Sequence, residues 1–153
     1  MDTPEKRKQL EELAQEVFEL SKLGSLARAR SRKDGVEVLS ETENLTLELL
    51  TKREVMTVGE IQKSIGVLPA QMSRVIRSLE DKGGSAFISC AINPEDRRKI
   101  DVSITPEGLA AFEAYRSARL GMSMKVLAVL TLKEREDFRR ILRKLGSHIS
   151  KSI

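Results

Sequence analysis

Between Lys82 and Glu107 the hydrophobic period changes from helical to two and back, and this constrains the fold more than any other feature of the chain. Ile88, Cys90 and Ile92 alternate with Ser89 and Ala91, and Ile100, Val102 and Ile104 alternate with Asp101 and Ser103. Each run reads as a strand with one apolar face. Asn93 to Arg98 join the two strands and carry Asp96, Arg97 and Arg98 at the tip. Thr105-Pro106-Glu107 then supplies a cap and a first-turn proline for a new helix. A two-stranded hairpin is marginal by itself in water. It needs a helical layer under its apolar face, and its charged tip is left projecting.

The preceding residues supply that layer. Ser40-Glu-Thr-Glu43 is a capping box ahead of a helix predicted to turn Leu45, Leu49 and Leu50 inward, and Thr57-Val-Gly-Glu60 opens a short helix with Val58, Ile61 and Ile65 on its buried side. Gly66-Val67-Leu68 makes a turn. Pro69 then starts a third helix, in which Met72, Val75, Ile76 and Leu79 follow helical spacing. Two short helices around a glycine-containing turn have the dimensions of a helix-turn-helix. Burying that stripe turns Ala70, Ser73, Arg74 and Arg77 outward, with Gln71 at the edge of the same face. Arginine forks bond guanine, Gln bonds adenine, and a Ser hydroxyl serves bases or phosphates. Two arginines alone describe any solvated helix face. The hairpin that follows gives them a context, because an arginine at its tip can enter a minor groove beside a major groove filled by the helix.

Long amphipathic helices are predicted at both ends. Thr3-Pro4 starts one with a seam of Leu10, Leu13, Val17 and Leu20. Gly24 is expected to interrupt it, followed by an acid-free segment to Lys33 that carries Arg28, Arg30 and Arg32, and by a turn at Asp34-Gly35. That basic run reads as a solvated face or linker, with a phosphate contact as the alternative. After Thr105, one helix carries Leu109, Phe112 and Tyr115; Thr131-Leu-Lys-Glu134 caps another with Phe138, Ile141, Leu142, Leu145 and Ile149 on one stripe. These seams exceed what the small central unit can cover, which calls for pairing with a second copy. The expected fold is mainly α with a small β-hairpin wing: a winged helix-turn-helix over residues 37–105, flanked by dimerisation helices. Residues 1–36 form the N-terminal helix and basic linker, and residues 106–153 the C-terminal helices, within one intertwined domain.

The 153 residues carry a formal net charge of +4, which permits a nucleic-acid partner. Residues 106–153 hold 10 Lys/Arg against 5 Asp/Glu, whereas residues 37–105 hold 9 against 11. Affinity for DNA would therefore depend on local placement of charge. The deficit also supports a rival reading, a winged helix used for protein contacts without specific DNA binding. No apolar leader follows Met1, no run approaches a membrane span, and the single cysteine, Cys90, fits a reducing cytoplasm. Cys90 shares a face with Ile88 and Ile92, so it reads as a structural thiol rather than a redox switch. With His148 the only histidine, and no phosphate-cradling glycine loop, neither metal, cofactor nor enzyme chemistry is expected.

These pieces resemble the MarR (multiple antibiotic resistance regulator) family. The resemblance is carried by Thr57-Val-Gly-Glu-Ile61, Met72-Ser-Arg-Val-Ile-Arg-Ser-Leu-Glu80, Lys82-Gly83, Pro94-Glu-Asp-Arg-Arg98 and Ile104-Thr-Pro-Glu-Gly108. It implies a cytoplasmic winged-helix homodimer that binds a near-palindromic DNA duplex, as a repressor, and in some members is released by a small aromatic or phenolic ligand. Ser73, Arg74 and Arg77 match the family's base- and phosphate-contacting face. Asp96 and Arg98 match its wing pair, in which the acid orients the arginine toward the minor groove. The sequence departs from the family pattern in two places. Gly84-Ser85-Ala86 intervenes before the first strand and is expected to loosen the approach to the wing, and Cys90 and Ala91 stand where basic residues are common, which predicts fewer phosphate contacts.

Overall fold

A computed structural model of the chain describes residues 3–30 and 39–152. Two compact units are present, Met1–Glu37 and Val38–Ile153. The first contains α1 (Pro4–Arg30). This helix runs through Gly24 without a break, contrary to the sequence expectation. One glycine in a helix interior costs only about 1 kcal/mol relative to alanine, too little to stop a long helix. Arg32, Lys33 and the expected Asp34-Gly35 turn lie outside the described residues.

The second unit is built in the order α2 (Glu41–Lys52), β1 (Met56–Thr57), α3 (Val58–Ile65), α4 (Pro69–Glu80), β2 (Ile88–Ile92), β3 (Ile100–Ile104), α5 (Pro106–Leu127) and α6 (Leu132–Ser150). The expected hairpin is β2–β3, in a register that pairs Ile88 with Ile104 and Ile92 with Ile100. A third, two-residue strand was not foreseen: β1 pairs antiparallel with β3, Met56 opposite Val102 and Thr57 opposite Asp101, so β3 is the central strand. Met56 and Val102 are both buried. The hairpin is therefore fastened to the residues that lead directly into α3.

The inward face of α2 is also corrected. Leu45 is exposed, Leu49 is half-buried, and the buried stripe is Glu43, Thr46, Leu47 and Leu50. The leucines of α2 do not mark its inward face because a carboxylate takes one of the inward places, and buried acids are rare unless paired. Glu43 is paired. It accepts hydrogen bonds from the Ser40 amide (2.7 Å), the Ser78 hydroxyl (2.7 Å) and Lys82 Nζ (2.6 Å). Burial pushes its pKa up, but bonds from Lys82, Ser40 and Ser78 outweigh that and hold it below the ordinary glutamate value. The capping acid of α2 thereby grips the C-terminal end of α4.

Met72, Val75, Ile76 and Leu79 of α4 are buried as expected, and Ile61 of α3 is fully enclosed. Each such side chain contributes roughly 1.5–3 kcal/mol on burial. The three-residue turn between α3 and α4 begins with Gly66 at φ 78°, a left-handed conformation that caps α3 and favours glycine. The stretch Gly84-Ser85-Ala86 is tied down rather than loose. Lys82 and Ser85 exchange two backbone hydrogen bonds, and the Phe87 amide reaches Leu79 O at 2.8 Å. Phe87 is itself buried.

The Thr-Pro-Glu-Gly run explains how α5 leaves the sheet. Thr105 donates its hydroxyl to Ala86 O (2.6 Å), accepts from the Gly108 amide (3.0 Å), and its own amide bonds Phe87 O (3.1 Å). Gly108 lies directly against Phe87, so that an added Cβ would fall 2.0 Å from the Phe87 carbonyl oxygen. Gly108→Ala is expected to destabilise the protein by at least the about 1–3 kcal/mol typical of overpacking, because backbone rather than a flexible side chain must move. A thermal melt showing an unchanged midpoint would contradict this account of the α5 start.

Candidate nucleic-acid interface

The outward face of α4 follows from what the helix buries. With its apolar stripe on α2 and α3, α4 leaves Ala70, Gln71, Ser73, Arg74 and Arg77 exposed. Pro69 occupies its first turn, and Leu68, lacking a capping oxygen, precedes it. The helix N-terminus therefore keeps amide donors without a side-chain acceptor. Gln71 leans toward α2, its amide 3.5 Å from the Thr42 hydroxyl, at the outer limit of a hydrogen bond. Arg74 and Arg77 have no carboxylate partner among the described residues.

Between α3, α4 and the hairpin runs a groove of about 830 Å3. Ser73 and Arg77 line it from α4, and Arg98 and Lys99 from the wing, with Lys63 contributed by α3. The fold thus brings three of the predicted residues, Ser73, Arg77 and Arg98, to one concave surface. Ala70, Gln71, Arg74, Asp96 and Arg97 lie outside its lining. Lys63 and Lys99 were not singled out from sequence. Lys99 adjoins the Arg97-Arg98 pair, a signal that could have been read; Lys63 is distant in sequence and joins the groove only through packing. The groove carries Lys63, Arg77, Arg98 and Lys99 against Glu60 and Glu80, a positive excess inside a region whose total charge is slightly negative. Glu60 is occupied as the capping-box acid of α3, bonded to the Thr57 amide at 2.8 Å and paired with Arg53 at 3.3 Å.

The wing tip is ordered by its own side chains. Asp96 Oδ1 accepts from the Arg98 amide (3.1 Å) and from Arg98 Nε (3.2 Å), while its second oxygen lies 3.9 Å from Lys99 Nζ. The Arg98 side-chain and backbone bonds hold the Asp96 carboxyl below its ordinary value. Arg98 is 92 % exposed, so the pair restricts a guanidinium that otherwise projects into solvent.

Residues 39–100 match the MarR family model. The HTH-type transcriptional regulator Mb0904 of Mycobacterium bovis is 36% identical over 101 residues, covering 66% of this chain and 67% of the relative. The chain belongs to the MarR family. The HTH-type transcriptional repressor Rv2887 of Mycobacterium tuberculosis is 28% identical over 109 residues, 71% of this chain and 76% of the relative. The crystal structure of YusO from Bacillus subtilis superposes with a TM-score of 0.73 at 24% identity, covering 96% of this chain and 99% of that one. MarR-family proteins are DNA-binding transcription regulators rather than enzymes, and no helix among the described residues is long and apolar enough to cross a membrane.

Two further features belong to this MarR-family fold. Cys90 is half-buried at the groove wall, where burial and the neighbouring Glu80 carboxylate raise its pKa to about 11. A second cavity, of about 380 Å3, opens between α2 and α5 and is lined by Asn44, Lys52, Phe112, Tyr115, Arg116 and Arg119, among others. Asn44 Oδ1 is buried without a hydrogen-bond partner among the described residues.

The wing geometry sets up a double-mutant cycle. Arg98→Ala is expected to weaken duplex binding, and Asp96→Ala to weaken it indirectly by freeing Arg98. The double variant loses less than the sum, as residues acting as one unit do. Fluorescence anisotropy with a labelled duplex checks it, and strictly additive losses would show that Asp96 does not position Arg98.

Proposed function

We propose that the protein is a homodimeric repressor, acting in the cytoplasm, that binds a near-palindromic operator with one α4 in each of two successive major grooves and the wings in the flanking minor grooves. The observation that carries this reading is the groove that gathers Ser73, Arg77 and Arg98 with Lys63 and Lys99 on one surface. Half-sites about 34–36 Å apart would match the two-fold axis of a dimer. Ala70, Gln71, Arg74 and Arg97 complete the contacting set, Arg74 and Arg77 as readers or phosphate clamps and Arg97 as a wing-tip cation.

Support for the dimer lies in the terminal helices. α1 and α6 contain no buried residue. Leu10, Leu13, Val17 and Leu20 are 55–64% exposed, and Ile141, Leu142, Leu145 and Ile149 are 45–60% exposed. Seams of this size in water mark an association surface. The cavity between α2 and α5 supports a small aromatic or phenolic acid as the releasing ligand, since Phe112 and Tyr115 line it for a ring and Arg116 for an anion, beside Lys52 and Arg119, which are shared with Glu48 and Glu41.

The excess of acids over bases in residues 37–105 favours one rival, a winged helix that binds protein instead of DNA. Selection of duplexes from a random-sequence library, followed by binding at rising salt, decides between them. Phosphate-driven binding weakens steeply with salt, and failure to retain any duplex would favour the rival. On the selected duplex, Arg74→Ala and Arg77→Ala are each expected to cost about 1–3 kcal/mol where they touch a base, or to weaken all sequences alike where they touch phosphate. Unchanged affinity in both variants would remove α4 from the reading face. Sedimentation equilibrium at micromolar concentration is expected to give twice the 17.1 kDa chain mass, and a stable folded monomer would overturn the role of the terminal seams.

A further inference from the structure

We infer that Asn93 is the positioning residue of the wing tip: it locks the turn that holds Asp96 and thereby aims Arg98, and it can do so because Asp101, diagonally across the hairpin, accepts from its side chain. This rests on the DNA-binding reading above. Asn93 follows the last residue of β2, and its amide closes the hairpin onto Lys99 O at 3.0 Å. Its side-chain oxygen accepts two backbone hydrogen bonds, from Glu95 N (3.0 Å) and Asp96 N (2.9 Å). With the oxygen so engaged, the side-chain nitrogen must face the other way, and there it donates to Asp101 Oδ1 at 2.8 Å. Asp101 is held in the central strand β3, opposite Ala91 of β2 and Thr57 of β1. The sequence of restraints runs from the sheet through Asp101 to Asn93, from Asn93 to the Glu95 and Asp96 amides, and from Asp96 to the Arg98 amide and guanidinium.

The position discriminates between Asn and Asp on chemical grounds. An aspartate at 93 could still accept both amides, since short polar side chains make such turns equally well. Its second oxygen would then face the Asp101 carboxylate at hydrogen-bond distance with no proton between them, and two like charges that close repel. Asn93 supplies the one donor this arrangement needs. Reversing the pair would supply it from the other side.

The test uses the full chain and a duplex selected by the wild-type protein from a random-sequence library. Asn93→Asp is expected to weaken binding about tenfold, no more than Arg98→Ala does, and to lower the salt slope by about 1 as the arginine contact is lost. Asp101→Asn keeps a hydrogen-bond acceptor for Asn93 and is expected to bind like wild type. The reciprocal variant N93D/D101N restores the donor and is expected to recover wild-type affinity and slope. In an Arg98→Ala background Asn93→Asp is expected to add no further loss, whereas a general disturbance of the hairpin would subtract the same amount again. Wild-type affinity in Asn93→Asp, a loss that Asp101→Asn does not reverse, or an undiminished loss in the Arg98→Ala background would each overturn the proposal. Amide hydrogen exchange at Glu95 and Asp96 provides a measurement without DNA. Faster exchange in Asn93→Asp, restored in the reciprocal variant, supports the lock even where no duplex is retained, and unchanged exchange refutes it.

Discussion

The buried carboxylate of Glu43 is the interaction on which the arrangement of the helices depends. It is the capping acid of α2, and it also receives Ser78 and Lys82 at the far end of α4. A charge nine-tenths or more out of water is tolerable only with such a complete set of partners, and removing one partner from a buried pair typically costs about 3–5 kcal/mol. One turn of α2 thus governs several contacts at once. Thr42 lies beside Gln71 at the start of α4, Glu43 holds its end, and Glu41 sits 3.9 Å from Arg119 of α5. The helix that carries the proposed reading face is thus met near both ends by two consecutive residues of α2, Thr42 and Glu43, while Glu41 before them reaches α5 and, with Asn44, lines the α2–α5 cavity.

The same interaction explains an apparent conflict in the charge of the reading region. Counted by sequence, acids outnumber bases there. Counted by place, several acids are committed elsewhere: Glu43 is buried against Lys82, Glu48 is paired with Lys52 on the outer face of α2, and Glu60 caps α3 while meeting Arg53. Arg74, Arg77 and Arg97 are left without carboxylate partners among the described residues. A potential at a surface depends on where charges stand within a screening length of about 8–10 Å, not on their total.

How far the fold was legible depended on whether a residue's role was local. The capping boxes at Ser40, Thr57 and Thr131 and the stripe of α4 depend on neighbours within one helical turn, and all were readable. Leu45 does not face inward because the inward stripe contains Glu43 and Thr46; Thr46 bonds the Thr42 carbonyl one turn back, but the burial of Glu43 is made tolerable by residues more than 30 positions away. The strand β1 escaped notice for a related reason: two residues carry no period, and Met56-Thr57 becomes a strand only because Asp101 and Val102 lie beside it. In the site, the outward arginines of α4 followed from helical geometry and the Asp96–Arg98 pair from the family resemblance. Lys63 and Asn93 did not, since one joins the groove through packing and the other acts through a cross-strand bond to Asp101.

Cys90 has a practical corollary. With its pKa raised to about 11, its thiol stays protonated near neutral pH, and the thiolate is the species that attacks alkylating reagents and disulfides. The chain contains no other cysteine. It is therefore a chemically quiet background on which a single sulfhydryl introduced at the wing tip or on α4 would react far ahead of the native one, so that a fluorophore or spin label could follow the reading face in solution without first replacing a residue of the sheet.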